Sequence, residues 1–261
     1  MTMRLDRYLT AQTALSRRAC SDAVKQGRVT VNGGTVRTPE QKITPGADSV
    51  TLDGKPVLYS EFHYFLMHKP CGVITASRDR HAQTVLDLLQ PEDRLPGLFA
   101  CGRLDKDTSG LLLITDDGQL SHRLLSPKHH VTKYYLVQLA RPFEPAYIDA
   151  LAQGITLRDG ADEERCLPAA CEQIGDRLCV IGLHEGKYHQ VRRSFAALGN
   201  HVENLLRTGI GGLNLPPELA PGGYLAIFTK EVEKMLNPSS ISLAAAFCRV
   251  QYSSYWIKEP V

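Results

Sequence analysis

The sequence lacks the features that mark several large protein classes. No apolar run reaches membrane-spanning length, and the chain starts with polar residues rather than a signal peptide. The seven cysteines are scattered and never spaced as CxxC, which excludes a zinc-finger site and a disulfide framework. No repeat of about 20 to 50 residues is visible. These absences predict a soluble protein of the reducing cytoplasm, with no membrane association.

Net charge is also small, and it is unevenly distributed. The formal charge of the 261 residues is +2. The first sixty residues hold nine Lys or Arg against five Asp or Glu, a balance of +4, which leaves −2 for the rest. This excess indicates that a polyanion would bind mainly at the N-terminal end. An ordinary solvated surface gives the same numbers, so charge alone leaves both interpretations open.

The first fifty residues are predicted to fold as two helices and a hairpin. Apolar residues recur at helical spacing over residues 4–15, and Ser16 stands where the N-cap of a second helix is expected. Gly27 supplies the end of that helix. The strand that follows reverses at Asn32-Gly33-Gly34, a sequence typical of a tight turn with positive φ.

Basic side chains of this unit are suited to phosphates, because Lys and Arg release condensed counterions and helix N-termini add backbone donors. Residues 3–50, with Arg4-Leu5-Asp6 and Ser16-Arg17-Arg18, resemble the small αL-type RNA-binding module named after a ribosomal small-subunit protein. The residues expected to contact RNA here are Arg4, Arg17, Arg18, Lys25, Arg28 and Arg37.

Beyond residue 60, short strands alternate with helices. This mixture predicts an α+β fold around a largely antiparallel sheet. The expected strands are 64–67, 111–115, 133–139 and 178–183, and the expected helices are 118–125, 145–153 and 189–198. The predicted domains are 1–59 (RNA-binding), 60–237 (catalytic) and 238–261 (a C-terminal extension of unknown role). For this extension, a short docking helix near Ala244 and a mobile tail are both open.

The densest group of reactive residues is the loop Gly102–Gly110, which precedes an apolar strand. A charged surface turn is the alternative, but catalytic groups tend to sit on loops held by a rigid scaffold. Aspartate has an ordinary pKa of about 3.9, so Asp105 is expected to be ionised and to act as a nucleophile or base. With the loop taken as an extended segment, Asp107 is expected to support Asp105 rather than to flank the same bond.

A second candidate segment is the strand that starts at Lys133. Alternation places Tyr135 on the same side as Lys133 and opposite to Tyr134. A tyrosine ring can stack on a nucleobase, and its hydroxyl can exchange a proton. Strand tyrosines are also common core residues, so this segment alone does not decide between the two roles.

A third segment, His184–Asn200, contains the predicted helix 189–198. Val191, Phe195 and Leu198 mark its core face. Arg192 and Arg193 then project from the first turn, where they can pair with a carboxylate or a phosphate. A solvated helix surface is the alternative.

Taken in order, Arg-Leu-Asp before a leucine-rich strand, Lys-x-Tyr and His-Gln-Val-Arg-Arg resemble the pseudouridine synthases, specifically the RsuA-type branch acting on ribosomal RNA. The resemblance runs from residue 3 to about 236. It departs at Ser194 and Leu206, where Met and His are expected, which indicates a different RNA contact there. Particularly similar segments are 115–119, 126–130, 185–191 and 195–202.

The resemblance implies a role for each motif. Asp105 is the catalytic aspartate, Tyr135 the active-site tyrosine and Arg192 the basic partner of the aspartate. Arg103 fills the gap left by a flipped nucleotide, and Lys69-Pro70 is structural. The other residues expected to contact RNA are Lys133, Lys187, His189, Gln190 and Arg193.

The implied reaction isomerises a uridine of ribosomal RNA, in the 16S RNA of the small subunit, to pseudouridine. It involves no net redox or hydrolysis, so no cofactor or metal is expected. The expected partner is ribosomal RNA, free or in a partly assembled small ribosomal subunit, and the protein is expected to be monomeric. Two other functions stay open: a metal-dependent transferase with Asp105-Lys106-Asp107 as the metal ligands, and a ribosome-assembly protein without turnover.

Overall fold

The computed structural model describes residues 2–126, 131–159, 162–252 and 255–256. Residues 127–130, which belong to the predicted similar segment 126–130, lie outside this part. The helices are α1 Leu5–Gln12, α2 Arg17–Lys25, α3 Gly118–Leu125, α4 Ala146–Gln153, α5 Gln190–Ala197, α6 Thr229–Glu233 and α7 Ile241–Gln251. Short 3-10 helices span Val85–Leu88, Pro91–Asp93 and Lys234–Leu236.

The strands of the described residues form one large sheet, a four-stranded sheet, a two-stranded pair and a separate hairpin. They are β1 Met3–Arg4, β2 Val29–Val31, β3 Gly34–Val36, β4 Lys42–Ile43, β5 Val50–Leu52, β6 Lys55–Pro56, β7 Tyr64–Lys69, β8 Phe99–Cys101, β9 Ser109–Thr115, β10 Lys133–Leu139, β11 Thr156–Asp159, β12 Asp162–Arg165, β13 Ala170–Gln173, β14 Leu178–Leu183, β15 Val202–Ile210, β16 Leu213–Asn214 and β17 Tyr224–Ala226. The two-stranded pair is β1–β4, and the separate hairpin is β11–β12.

The N-terminal unit has the predicted order of helix, helix and hairpin. The Ser16 side chain accepts a hydrogen bond from the backbone N–H of Ala19 and so caps α2. Asn32 and Gly33 have φ of 51° and 81°, which makes the turn between β2 and β3 the tight type that their sequence predicted. The hairpin joins β5 and β6 in a four-stranded sheet. Buried apolar residues of α1, α2 and these strands form one core.

The large sheet has the strand order β13-β14-β10-β15-β9-β7-β17, with β8 beside β9 and β16 beside β15. Its pairs are antiparallel except for β9 and β15, which run parallel. The α+β fold with a largely antiparallel sheet is therefore confirmed. At the parallel pair the chains approach closely, because a Cβ at Gly110 would collide with the backbone of Arg207. Glycine, here with φ of 116°, permits this contact at the centre of the sheet.

Within the C-terminal extension, α7 (Ile241–Gln251) and the following Tyr252 are docked on the large sheet rather than forming a mobile tail. Ala244, Ala245 and Cys248 of α7 are buried in the same core as the leucines of β9. The buried Tyr252 hydroxyl donates a hydrogen bond of 3.1 Å to the Leu215 carbonyl. Within the described part of the chain, no helix is long and apolar enough to cross a membrane.

Candidate active site

Elements at the parallel strand pair and to one side of it bring the predicted motifs together at the large sheet. The loop before β9 carries Asp105, β10 carries Tyr135, and the turn before α5 carries His189. These elements surround a cavity of about 280 Å³ with an apolar side formed by leucine and valine side chains. The predicted site residues that line it are Arg103, Asp105, Tyr135, Lys187, His189 and Gln190.

The backbone around Asp105 is held by the buried side chain of Lys69. Its Nζ donates hydrogen bonds to the carbonyl oxygens of Asp105 at 3.0 Å, Thr108 at 2.9 Å and Pro70 at 3.0 Å. Thr75 Oγ1 adds a bond of 2.8 Å to the Leu104 carbonyl. Burial lowers the pKa of Lys69 to about 8. The predicted structural role of Lys69-Pro70 thus takes the form of direct bonds to the loop.

The carboxylate of Asp105 has a partner that differs from the expected one. Among the described residues, the basic side chain within 4 Å of this carboxylate is His189, whose Nε2 lies 3.6 Å from Asp105 Oδ1. Arg192 instead pairs with Asp107, with 3.1 Å between Nη2 and Oδ2. Its Nη1 also donates 2.9 Å to the Val202 carbonyl, which fixes the guanidinium between α5 and β15. The expected Asp105–Arg192 pair is therefore replaced by an Asp107–Arg192 pair.

The reason is the local backbone. The loop was treated as extended at Asp105 and Asp107, but Lys106 and Asp107 form a turn. The turn carries the Asp107 carboxylate to α5 and leaves Asp105 at the cavity. The turn is what gives the two acids different surroundings, because residues two apart on an extended strand would share one face.

The strand β10 presents its two tyrosines to different surroundings. Tyr134 is buried, and its hydroxyl donates 2.6 Å to the Ser239 carbonyl beside α7. Tyr135 lines the cavity. Lys133 was expected to contact RNA, yet it is 8% exposed and absent from the cavity lining. Burial, with the nearby Arg207 guanidinium, lowers the pKa of Lys133 to about 8.

In the turn before α5, several side chains that were expected to contact RNA form hydrogen bonds and ion pairs within the protein. Lys187 Nζ pairs with Glu164 at 2.7 Å. Gln190 donates 2.7 Å from Nε2 to Glu185 and accepts 3.0 Å from the Lys187 backbone N–H. These two side chains therefore hold the turn, although they line the cavity. Arg193 points away and donates 3.3 Å to the Tyr188 carbonyl.

The basic residues of the N-terminal unit differ in whether their side chains are already paired with groups of the protein. Arg4 pairs with Asp6 at 2.7 Å, and Arg28 pairs with Asp53 at 2.5 Å. The Arg37 guanidinium donates 3.2 Å to the Lys25 carbonyl. Arg17 and Lys25 have exposed side chains with no ion pair in the described part of the chain, and the exposed Arg18 has a single long contact, 3.9 Å from Nε to Asp22 Oδ2.

A cavity of about 540 Å³ lies where this unit meets the larger one. Arg4 of β1, Arg7 of α1 and Arg17 of α2 line it, and Pro96 lines it from the other side. It is larger than the cavity at Asp105, and the acid in its lining, Asp6, is held by Arg4 at 2.7 Å. Its guanidinium groups favour an anionic strand over a small substrate.

Sequence reasoning missed how the loop is held and one exposed ring. The hydrogen bonds from Lys69 to the loop carbonyls depend on tertiary contacts, although a lysine within the buried strand β7 was a signal. Tyr188 lines the cavity and is 72% exposed; it belongs to the predicted similar segment 185–191 but was assigned no role there.

Comparison with known proteins identifies this arrangement. Residues 63–197 match the RNA pseudouridylate synthase family, and residues 3–49 match the S4 domain. The first match alone covers more than half of the chain. The chain belongs to the RNA pseudouridine synthase family. This synthase is therefore an isomerase with an added S4 domain.

Similar proteins span nearly all of the synthase. It is 40% identical over 242 residues to an uncharacterized RNA pseudouridine synthase, YtzG, of Bacillus subtilis, covering 91% of this chain and 100% of the relative. It is 40% identical over 235 residues to ribosomal small subunit pseudouridine synthase A of Escherichia coli, covering 90% and 100%. A solved pseudouridylate synthase structure superposes with a TM-score of 0.63 at 38% identity, covering 89% of this chain and 99% of that one.

Proposed function

We propose that this synthase converts one uridine of the small-subunit (16S) ribosomal RNA to pseudouridine, with Asp105 as the nucleophile or base. One observation carries the proposal. Among the described residues that line the cavity, Asp105 is the only acid, and it shares the cavity with Tyr135. The small-subunit enzymes among the similar proteins support the choice of RNA.

The reaction balances without an added reagent. The bond from N1 to C1′ breaks, the uracil turns, and C5 bonds to C1′. N1 gains a proton and C5 loses one. Asp105 can start this sequence by attacking C1′ or by removing the C2′ proton. In this proposal Tyr135, which lines the same cavity, packs against the base and accepts the C5 proton.

The target nucleotide must first leave its base stack, which costs a few kcal/mol. Arg103 is exposed, lines the cavity and has no ion pair among the described residues. Its long side chain is suited to fill the space that the flipped nucleotide leaves. The leucine and valine side of the cavity, with Leu183, Val191 and Leu205, gives the detached uracil an apolar surface.

The N-terminal unit holds the flanking RNA. Arg17, Arg18 and Lys25 are free to neutralise phosphates, and each neutralised phosphate releases counterions. The ion pairs of Arg4 and Arg28 make these two residues weaker contacts, since RNA must compete with a carboxylate. We propose that the synthase acts as a monomer on free or partly assembled small-subunit RNA.

Primer extension after carbodiimide treatment tests the substrate. Free 16S RNA, small-subunit particles and free 23S RNA are each incubated with a substoichiometric amount of the protein. We expect one new stop in 16S RNA and more than one product per enzyme molecule. A stop confined to 23S RNA would contradict the choice of RNA, and product limited to one equivalent would contradict catalysis. Undiminished activity in excess EDTA separates this reaction from a metal-dependent transferase.

A further inference from the structure

Tyr188 presents an exposed aromatic ring at the mouth of the cavity. Its side chain is 72% exposed, although large aromatic rings are generally kept from water. It lines the cavity, and its hydroxyl makes no hydrogen bond within the described residues. One ring face is covered, because it stacks on His189 with 4.0 Å between ring centroids and 16° between planes.

The stacked pair connects directly to the reacting centre. His189 Nε2 lies 3.6 Å from Asp105 Oδ1. The Tyr188 ring therefore stacks on the imidazole that approaches the Asp105 carboxylate, and both side chains line the same cavity.

The backbone under this pair is held in place. His189 has φ of 48°, a left-handed conformation that non-glycine residues seldom adopt and that often occurs at functional sites. The Arg193 guanidinium donates 3.3 Å to the Tyr188 carbonyl, and Gln190 closes the turn through Glu185. The ring is thus presented in a fixed position, which lowers the entropy lost when a ligand binds.

We infer that Tyr188 is a stacking platform for the nucleobase adjacent to the target uridine, a single-stranded RNA contact at the mouth of the site. The inference rests on the proposed function, because it places the target at Asp105. Every base has a π-face, so a tyrosine platform fixes the strand without selecting its sequence. Stacking on the His189 ring keeps the platform parallel to an incoming base.

The test compares Tyr188→Leu, which keeps apolar volume without a ring, with Tyr188→Phe, which keeps the ring without the hydroxyl. The matched control is Phe228→Leu, since Phe228 is 78% exposed and follows the edge strand β17 at the far side of the sheet. Each variant is assayed with a 16S RNA fragment in which 2-aminopurine replaces a base on either side of the target.

We expect Tyr188→Leu to raise KM about 5- to 150-fold, the range that loss of base–aromatic stacking produces, with kcat within about twofold. It should also remove the quenching of 2-aminopurine that binding causes at one position. Tyr188→Phe and Phe228→Leu should keep both properties. Thermal unfolding confirms that each variant is folded.

Unchanged KM and unchanged quenching in Tyr188→Leu would overturn the inference, and the loss of activity in Asp105→Asn would show that the proposed function still stands. A fall in kcat with KM unchanged would also overturn it, because the ring would then act only by orienting His189. Full activity of Asp105→Asn would be a separate result, against the proposed function itself.

Discussion

The ammonium of Lys69, which is 0% exposed, donates a hydrogen bond of 3.0 Å to the backbone carbonyl of Asp105. The same nitrogen also donates hydrogen bonds to the carbonyl oxygens of Pro70 and Thr108. A single buried cation thus fixes the backbone that carries the proposed catalytic carboxylate. The position of Asp105 depends on a residue 36 positions earlier in the chain.

Lys69→Met should lower the rate of pseudouridine formation by about 100-fold, since a displacement of about 1 Å in a reacting group has that effect. The protein should still fold, because methionine fills the volume and removes a desolvated charge. Single-turnover kinetics measure the rate, and circular dichroism checks the fold. The control is the exposed Lys230→Met. A rate equal to that of the control would contradict this role.

The activity should fall above about pH 8, because burial lowers the pKa of Lys69 to about 8 and the neutral amine loses its charge and one donor. Stability should respond in the opposite direction. An unfolded lysine titrates near pH 10.4, so between about pH 8 and 10 the unfolded state binds more protons and the contribution of Lys69 to stability rises with pH.

Single-turnover rates between pH 6.5 and 9.5, with circular dichroism at each pH, measure this difference. Burial also lowers the pKa of Lys133 to about 8, so the same profile is recorded for Lys133→Met. The alkaline fall should persist in that variant. A constant rate through pH 9 in the wild type, or a fall that disappears in Lys133→Met, would rule out Lys69 as the titrating group.

Arg192 should couple energetically to Asp107 rather than to Asp105. A double-mutant cycle of Arg192→Gln with Asp107→Asn should give about 0.2–1 kcal/mol by urea unfolding, since the Asp107 side chain is 61% exposed. The cycle with Asp105→Asn should give less than about 0.3 kcal/mol. A larger coupling energy with Asp105 than with Asp107 would contradict this prediction and support the Asp105–Arg192 pair that the sequence predicted.

The docking of α7 predicts an asymmetric response to added volume on two neighbouring alanines. Ala245 is buried and Ala246 is exposed. Ala245→Leu should destabilise the protein by about 1–3 kcal/mol through overpacking, whereas Ala246→Leu should stay within about 0.5 kcal/mol of the wild type. Urea unfolding measures both. Equal effects would mean that α7 does not pack as observed.

Local features of the fold followed from the sequence because local contacts determine them. Ser16 caps α2 with its own side chain, and the turn at Asn32-Gly33 depends on positive φ that these residues tolerate. The strand order could not be predicted in this way. The parallel contact of Gly110 with Arg207 joins residues almost a hundred positions apart.

The sequence predicted which residues form the candidate site better than it predicted the contacts between their side chains. Asp105, Tyr135 and His189 do line one cavity. The partner of Arg192 depended on a turn at Lys106 and Asp107, which the assumption of an extended segment had excluded. The burial of Lys133 depended on packing from neighbouring strands. Side-chain contacts of this kind are decided by tertiary structure and leave little trace in residue order.

The central claim, that Asp105 performs the chemistry, is tested most directly by Asp105→Asn beside Asp107→Asn. These variants remove one charge each from carboxylates two residues apart. Both are incubated with excess 16S RNA, and pseudouridine is mapped by carbodiimide-blocked primer extension, with RNA affinity measured in parallel. We predict that Asp105→Asn binds RNA but forms no pseudouridine, while Asp107→Asn remains active. Turnover by Asp105→Asn at the wild-type rate would contradict the assignment.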